Sequence, residues 1–238
     1  RGEPAPTLAD LEAAIPPRTR AILLGSPNNP TGAVLTRELS LEIAAFVEKH
    51  DLLVYSDEIY DRLVYGVEHI SFASLPGMWE RTVTLGGFSK AYAMTGWRLG
   101  YAAGPGDLIN ALAKLLGQNT TCANSIAQAA SAAALEGDQR PVAAMREDYR
   151  KRRDLMVTLL GAVEGFRCRA PAGAFYLFPN VSGLIGRRTP SGATLANDLD
   201  VARYLLEIAG VAVMDGISYG KSPYLRLSFA TSVENIEE

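Results

Sequence analysis

Short apolar runs alternate with amphipathic stretches through the first two-fifths of the chain. Residues 20–25 read Arg-Ala-Ile-Leu-Leu-Gly, a continuous apolar run of the kind expected of a strand buried on both faces. The run ends in Ser26-Pro27-Asn28-Asn29-Pro30-Thr31-Gly32, a dense turn signal. From Leu39 to His50 the apolar residues recur at helical spacing (Leu39, Ile43, Phe46, Val47), with Thr36 as the expected N-cap and Glu38 and Glu42 early in the helix. Residues 52–55, 82–85 and 99–103 read as three more strands. Strands alternating with helices predict an α/β fold with a mostly parallel sheet. Such sheets bind ligands at the carboxyl ends of their strands. The Asn-Pro-Thr-Gly turn, Asp57 and Lys90 all follow the end of a predicted strand.

Beyond Gly104 the pattern turns helical, over about 106–117, 125–135 and 141–163. The last stretch carries Arg150, Lys151, Arg152 and Arg153, assigned here to a solvated face. A smaller α+β unit follows, with strands at 175–178, 211–214 and 224–229 and a helix at 198–209. The domain change is placed near residue 140, which gives domains 1–140 and 141–238. Internal repeats and low-complexity segments are not found.

Composition narrows the function classes. Of the 238 residues 48% are hydrophobic and 21% charged, ordinary values for a soluble globular protein. A net charge of −3, without a basic block, suggests no nucleic-acid or anionic-membrane partner. No apolar stretch approaches the roughly 18–20 residues of a membrane span. No leader pattern is seen, and a cytoplasmic location is expected. Cys122 and Cys168 lack CxxC spacing and read as reduced core thiols, with a disulfide the lesser alternative. His50 and His69 have no His or Cys neighbours at ligand spacing, so no metal site is expected. The chain opens at Arg1 in a Pro-rich, linker-like segment and closes at Asn235-Ile236-Glu237-Glu238, which reads as the start of a helix. It is expected to be a fragment.

Four positions carry candidate chemistry. Lys90 lies in Gly87-Phe88-Ser89-Lys90-Ala91-Tyr92-Ala93-Met94-Thr95-Gly96-Trp97-Arg98. A lysine in a partly buried turn can lose its proton and attack a carbonyl, and Arg98 can fork onto a phosphate. A solvated surface lysine is the ordinary alternative. Asp57, in Ser56-Asp57-Glu58-Ile59-Tyr60, is either a helix N-cap or a carboxylate aimed at a pyridine nitrogen, with the Tyr60 hydroxyl on the same side. Asn29 is either a turn former or an amide donor to a phenolate oxygen. Arg226, a lone cation in Tyr224-Leu225-Arg226-Leu227-Ser228-Phe229, forms a buried salt bridge or captures a substrate carboxylate.

Together these motifs resemble the class I pyridoxal-phosphate-dependent aminotransferases of fold type I, over their middle and C-terminal part. The resemblance rests on residues 26–32, Asp57-Glu58-Ile59-Tyr60, residues 89–100, Gly173-Ala174-Phe175-Tyr176 and residues 224–230, in that order. It implies a three-layer α/β/α large domain, whose C-terminal part would be residues 1–140, and a smaller α+β domain. It implies pyridoxal 5′-phosphate (PLP) as cofactor, with Lys90 as its Schiff-base amine and as the base that moves the substrate proton. Asp57 would pair with the ring nitrogen, Asn29 and Tyr60 with the phenolate oxygen, and Ser89 and Arg98 with the phosphate. Arg226, together with Asn29, would meet the substrate. The implied partners are an amino acid, aspartate being favoured, and a 2-oxo acid such as 2-oxoglutarate, in a homodimer. The Asn29–Pro30 bond is commonly cis in such proteins. An aromatic or broad-range aminotransferase, a lyase on the same fold and a non-catalytic remnant are the alternatives. Some relatives carry a hydroxyl residue three positions before the lysine, where this chain has Gly87. The N-terminal part of such domains supplies further phosphate and ring contacts, so the chain alone is not expected to be active.

Overall fold

The computed structural model describes residues 7–238, so the linker-like reading of the Pro-rich opening lies outside the described residues. Two compact units divide the chain. One holds the described residues through Asn28 and Ala33–Ala144; the other holds Asn29–Gly32 and Met145–Glu238.

In the first unit, α1 (Leu8–Ala14) starts at Thr7, whose hydroxyl and the Asp10 carboxylate cap each other's backbone amides. Strand β1 (Ala21–Gly25) leads through the turn to α2 (Arg37–Lys49), and the Thr36 hydroxyl accepts from the Leu39 amide at 3.2 Å as the sequence predicts. The inner face of α2 buries Ile43, Ala44, Phe46 and Val47 against Leu24, Leu52, Val54, Phe72, Leu75 and Met78. Each large side chain sequestered there contributes about 1.5–3 kcal/mol.

Strands β2 (Leu53–Asp57) and β3 (Thr82–Gly87) continue the sheet in parallel, and β4 (Gly100–Ala103) closes it antiparallel, in the order β1-β2-β3-β4. Strand β1 departs from the expected burial on both faces. Leu24 is 8% exposed and Leu23 is 71% exposed, because α2 and its partners cover only the Ile22–Leu24 side. Gly25 and Asp57 end β1 and β2 as partners, and Asp57 pairs with Leu85, two residues before β3 ends at Gly87. This register brings the loops after β2 and β3 to one sheet edge. Helices α3 (Gly106–Asn119), α4 (Ser125–Glu136) and α5 (Arg140–Gly161) follow.

The second unit carries β5 (Tyr176–Leu177), α6 (Asp198–Ala209), β6 (Met214–Asp215), β7 (Leu225–Ser228) and α7 (Val233–Glu237), with an antiparallel sheet in the order β5-β7-β6. Val181, Leu195, Val201, Ala202 and Leu225 form its core. The strand expected at 211–214 begins only at Met214. Residues before it are spent ending α6: Gly210 turns left-handed (φ 68°) and the Val211 amide reaches back to the Leu205 carbonyl.

The basic run on α5 is not uniformly solvated. Arg150 and Lys151 pair with acidic neighbours on the helix surface, but Arg153 is tucked in and donates to the Pro171 carbonyl at 3.0 Å. The thiols also depart from expectation. Cys122 is exposed rather than in the core, and Cys168 is half-buried, its thiol pushed up to about 11 by burial; both are free. No helix among the described residues is long and apolar enough to cross a membrane.

Candidate active site

In the first unit the candidate residues gather where β2 and β3 end. Asp57 is the last residue of β2, beside Leu85 of β3. Its Oδ1 accepts from the Ile59 amide at 3.2 Å, but the residues that follow form turns and no helix, so Asp57 closes a turn and the helix N-cap reading is not realised. Its other oxygen takes no hydrogen bond from the described residues. Tyr60 follows in the same turn, 4% exposed.

Lys90 stands three residues past β3, in a chain of tight turns. Met94 donates to the Phe88 carbonyl at 3.1 Å, Ala93 to Lys90 at 3.3 Å, and Trp97 to Met94 at 3.2 Å. Buried Phe88 and Ala91 pin the loop to the sheet, and the Phe88 ring lies 6.0 Å from that of Tyr101. Ala93 and Arg98 both take φ of 53°, a left-handed conformation with a backbone cost that the surrounding bonds offset. Arg98 donates one guanidinium nitrogen to the Thr95 carbonyl at 3.0 Å and turns an exposed side chain to solvent. Ser89 is half-buried beside Lys90.

Gly87 has a steric reason to lack a side chain. A Cβ there would lie 2.9 Å from Ile59 Cδ1 and 3.2 Å from the Gly100 Cα. A hydroxyl residue at this position would have to shift the end of the Ile59 side chain and press on the Gly100 backbone.

Behind Asp57 sits a cluster that the sequence reading did not anticipate. Glu58, 6% exposed, accepts from the Ser56 hydroxyl (2.8 Å), the Ser71 hydroxyl (3.1 Å) and the Phe72 amide (3.1 Å), and meets His69 Nε2 at 2.9 Å. Burial alone would raise its pKa, but hydrogen bonds from His69 and Ser56 outweigh burial and hold the carboxyl below its ordinary value. Nearby Asp61 is pushed the other way by burial, and Tyr101 is raised by burial and by the charges of Asp61 and Glu58. The one available signal was the acid pair Asp57-Glu58 at a strand end, where alternating side chains point to opposite faces.

In the second unit, Arg226 on β7 donates Nη1 to Asn29 Oδ1 at 2.9 Å. Its guanidinium carbon lies 4.6 Å from the Tyr176 ring centre and 5.3 Å from that of Tyr219. Among the described residues no carboxylate pairs with it, so the salt-bridge alternative is not realised. The Asn29–Pro30 bond is cis, as expected. Gly32 adopts φ 68°, and its carbonyl accepts from the Gly173 amide at 2.8 Å. Tyr176 and Tyr219 were not read as site residues, although Tyr176 closes the Gly173–Tyr176 motif.

The aminotransferase class I and II family model matches residues 5–238. The chain belongs to this family. It is 47% identical over 237 residues to an aspartate aminotransferase of Rhizobium meliloti (strain 1021), covering 98% of this chain and 57% of the relative. It is 44% identical to an aspartate/prephenate aminotransferase of Cereibacter sphaeroides, covering 98% of this chain and 59% of that protein. Among solved structures, the Rhizobium meliloti aspartate aminotransferase superposes with a TM-score of 0.95 at 44% identity, over 98% of this chain and 59% of the other. An aromatic aminotransferase from Pyrococcus horikoshii superposes at 0.88 with 40% identity, over 98% and 61%. The chain thus spans under two thirds of the length of these aminotransferases. As family members at this similarity share the α/β architecture, the fold read from alternating strands and helices stands.

Proposed function

We propose that the protein carrying this chain is a PLP-dependent aminotransferase that moves an amino group between L-aspartate and a 2-oxo acid such as 2-oxoglutarate. The observation that carries the reading is the pairing of Asp57 with Leu85, which sets Asp57, with one uncommitted oxygen, beside the strand that leads into Lys90.

The donor set suits the group this family implies. An amine (Lys90), a carboxylate (Asp57), a phenol (Tyr60) and a hydroxyl with a guanidinium (Ser89, Arg98) match an aldehyde, a basic ring nitrogen, a phenolate oxygen and a phosphate. When bound, PLP supplies an electron sink for the α-carbon's bonding pair. The chain's residues do the rest. Lys90 would hold the group through its amine, and that amine is the base that would move the substrate's α-proton. Asp57 would hold the ring nitrogen and favour its protonated form. Tyr60 would meet the phenolate oxygen, the family resemblance assigns the Asn29 amide to the same oxygen, and Ser89 and Arg98 would hold the phosphate. Arg226, bonded to Asn29 and close to two tyrosine rings, would present the rest of its fork to the substrate's α-carboxylate. We further propose a cytoplasmic homodimer.

An aromatic or prephenate-type substrate is the second reading, favoured by the relatives of those names at 40–44% identity. The deciding assay follows oxo-acid and ammonia release from L-aspartate and from aromatic amino acids, each with 2-oxoglutarate. Oxo-acid formation fastest with aspartate supports the first reading. Ammonia release without amino transfer to 2-oxoglutarate would replace it with a lyase.

A further inference from the structure

We infer that Asp198 is a positioning residue for the carboxylate clamp, acting through the loop between β6 and β7; this rests on the reading of Arg226 as that clamp. Asp198 is fully buried in the first turn of α6. Its side chain does not cap its own helix, a task that Asn197 performs through the Asp200 amide. It reaches instead to both ends of the loop. Oδ2 accepts from the Gly216 amide (3.1 Å) and the Tyr224 amide (3.2 Å), and Oδ1 from the Ser222 hydroxyl (3.1 Å).

The loop has little freedom beyond these bonds. Gly216 donates to the Tyr224 carbonyl at 2.7 Å, and Lys221 donates back to Gly216 at 2.9 Å. A Cβ at Gly216 would collide with the Lys221 carbonyl and lie 2.8 Å from that of Tyr224. At the tip the Tyr219 amide bonds the Gly216 carbonyl at 2.9 Å. The Tyr219 ring then stands against the Arg226 guanidinium and edge-on to Phe178, which stacks on Tyr224. A buried carboxylate that gathers three donors from one loop fixes that loop more firmly than neutral bonds could. Asp198 therefore sets where Tyr219 stands, and Tyr219 supplies one wall of the guanidinium slot. Without that wall Arg226 gains rotamers that do not face the ligand.

The test uses the full-length, cofactor-loaded protein and three variants: Asp198→Asn, Tyr219→Leu and Ser222→Ala. Readouts are the Kd of maleate, a non-reacting dicarboxylate, by calorimetry, the KM and kcat for amino donor, and cofactor occupancy. Asp198→Asn and Tyr219→Leu should each weaken maleate and raise KM by about five- to twentyfold, the scale of one lost cation–π wall. Occupancy should hold, and kcat should change much less than KM. The double variant should be no weaker than the worse single one, since both act through the same wall. Ser222→Ala should weaken maleate by roughly two- to threefold. A folded Asp198→Asn protein with wild-type Kd, multiplying effects in the double variant, or loss of kcat and occupancy at constant Kd would each overturn the proposal. If Asp198→Asn does not fold, wild-type affinity in Ser222→Ala overturns it. Arg226→Lys separates the two levels: unchanged maleate affinity there sinks the clamp reading itself, whereas weakened affinity there with none lost at Asp198 sinks only the positioning role.

Discussion

Arg226 Nη1 and Asn29 Oδ1 meet at 2.9 Å, although 197 positions separate them in the chain. The contact lies within the second unit, to which Asn29–Gly32 belong although the strand before them in sequence belongs to the first. This arginine is restrained by one amide and two rings, and no carboxylate among the described residues pairs with it. Replacing it by lysine preserves the charge and loses the fork. Arg226→Lys should raise KM for amino and oxo acids about tenfold or more, and Arg226→Ala up to roughly 150-fold, the range of one charge-assisted hydrogen bond. Steady-state kinetics at saturating cofactor check this; equal KM values in wild type and Arg226→Ala would exclude the clamp.

Glu58 gives a pH-dependent prediction. Its folded pKa lies below the ordinary glutamate value, so its contribution to stability is present above about pH 4.3 and lost as pH falls through the lower folded value. At pH 7 Glu58→Gln should cost about 1.5–3 kcal/mol, because a charged acceptor is replaced by a neutral amide in a site built of donors. Urea titrations between pH 7 and pH 3 should show the gap between wild type and variant closing on the acid side. A gap that stays constant to pH 3 contradicts the assignment.

Gly32 holds φ at 68° with Pro171 against its Cα and the Gly173 carbonyl 2.7 Å from where a Cβ would stand. Gly32→Ala therefore combines a left-handed backbone with a backbone clash, and should destabilise the protein by about 2–4 kcal/mol. Thermal melts would register this as a drop of several degrees. An unchanged melting temperature would mean that the turn packs differently.

What the chain disclosed in advance was local. Thr36 as a cap, the short apolar runs and the turn around Asn29 are written in neighbouring residues, and the elements form close to where those signals lie. The position of Lys90 after a strand followed from the same signals, whereas Asp57, expected just past its strand, is that strand's last residue. Their alignment required register, which a parallel sheet sets through partners far apart in sequence. The roles of Glu58, Asp198 and Tyr219 were illegible because each depends on long-range hydrogen bonds or ring contacts. Likewise the apolar run of β1 implied two covered faces, yet composition cannot say which face a helix will cover.

The central claim is that Lys90 is the amine that holds the cofactor. The most direct measurement adds PLP to the protein, reduces with borohydride and maps the modified peptide by mass spectrometry. The account predicts one label per chain, on Lys90, and none in Lys90→Ala. Stoichiometric labelling of another lysine, with Lys90 unmodified, would contradict it.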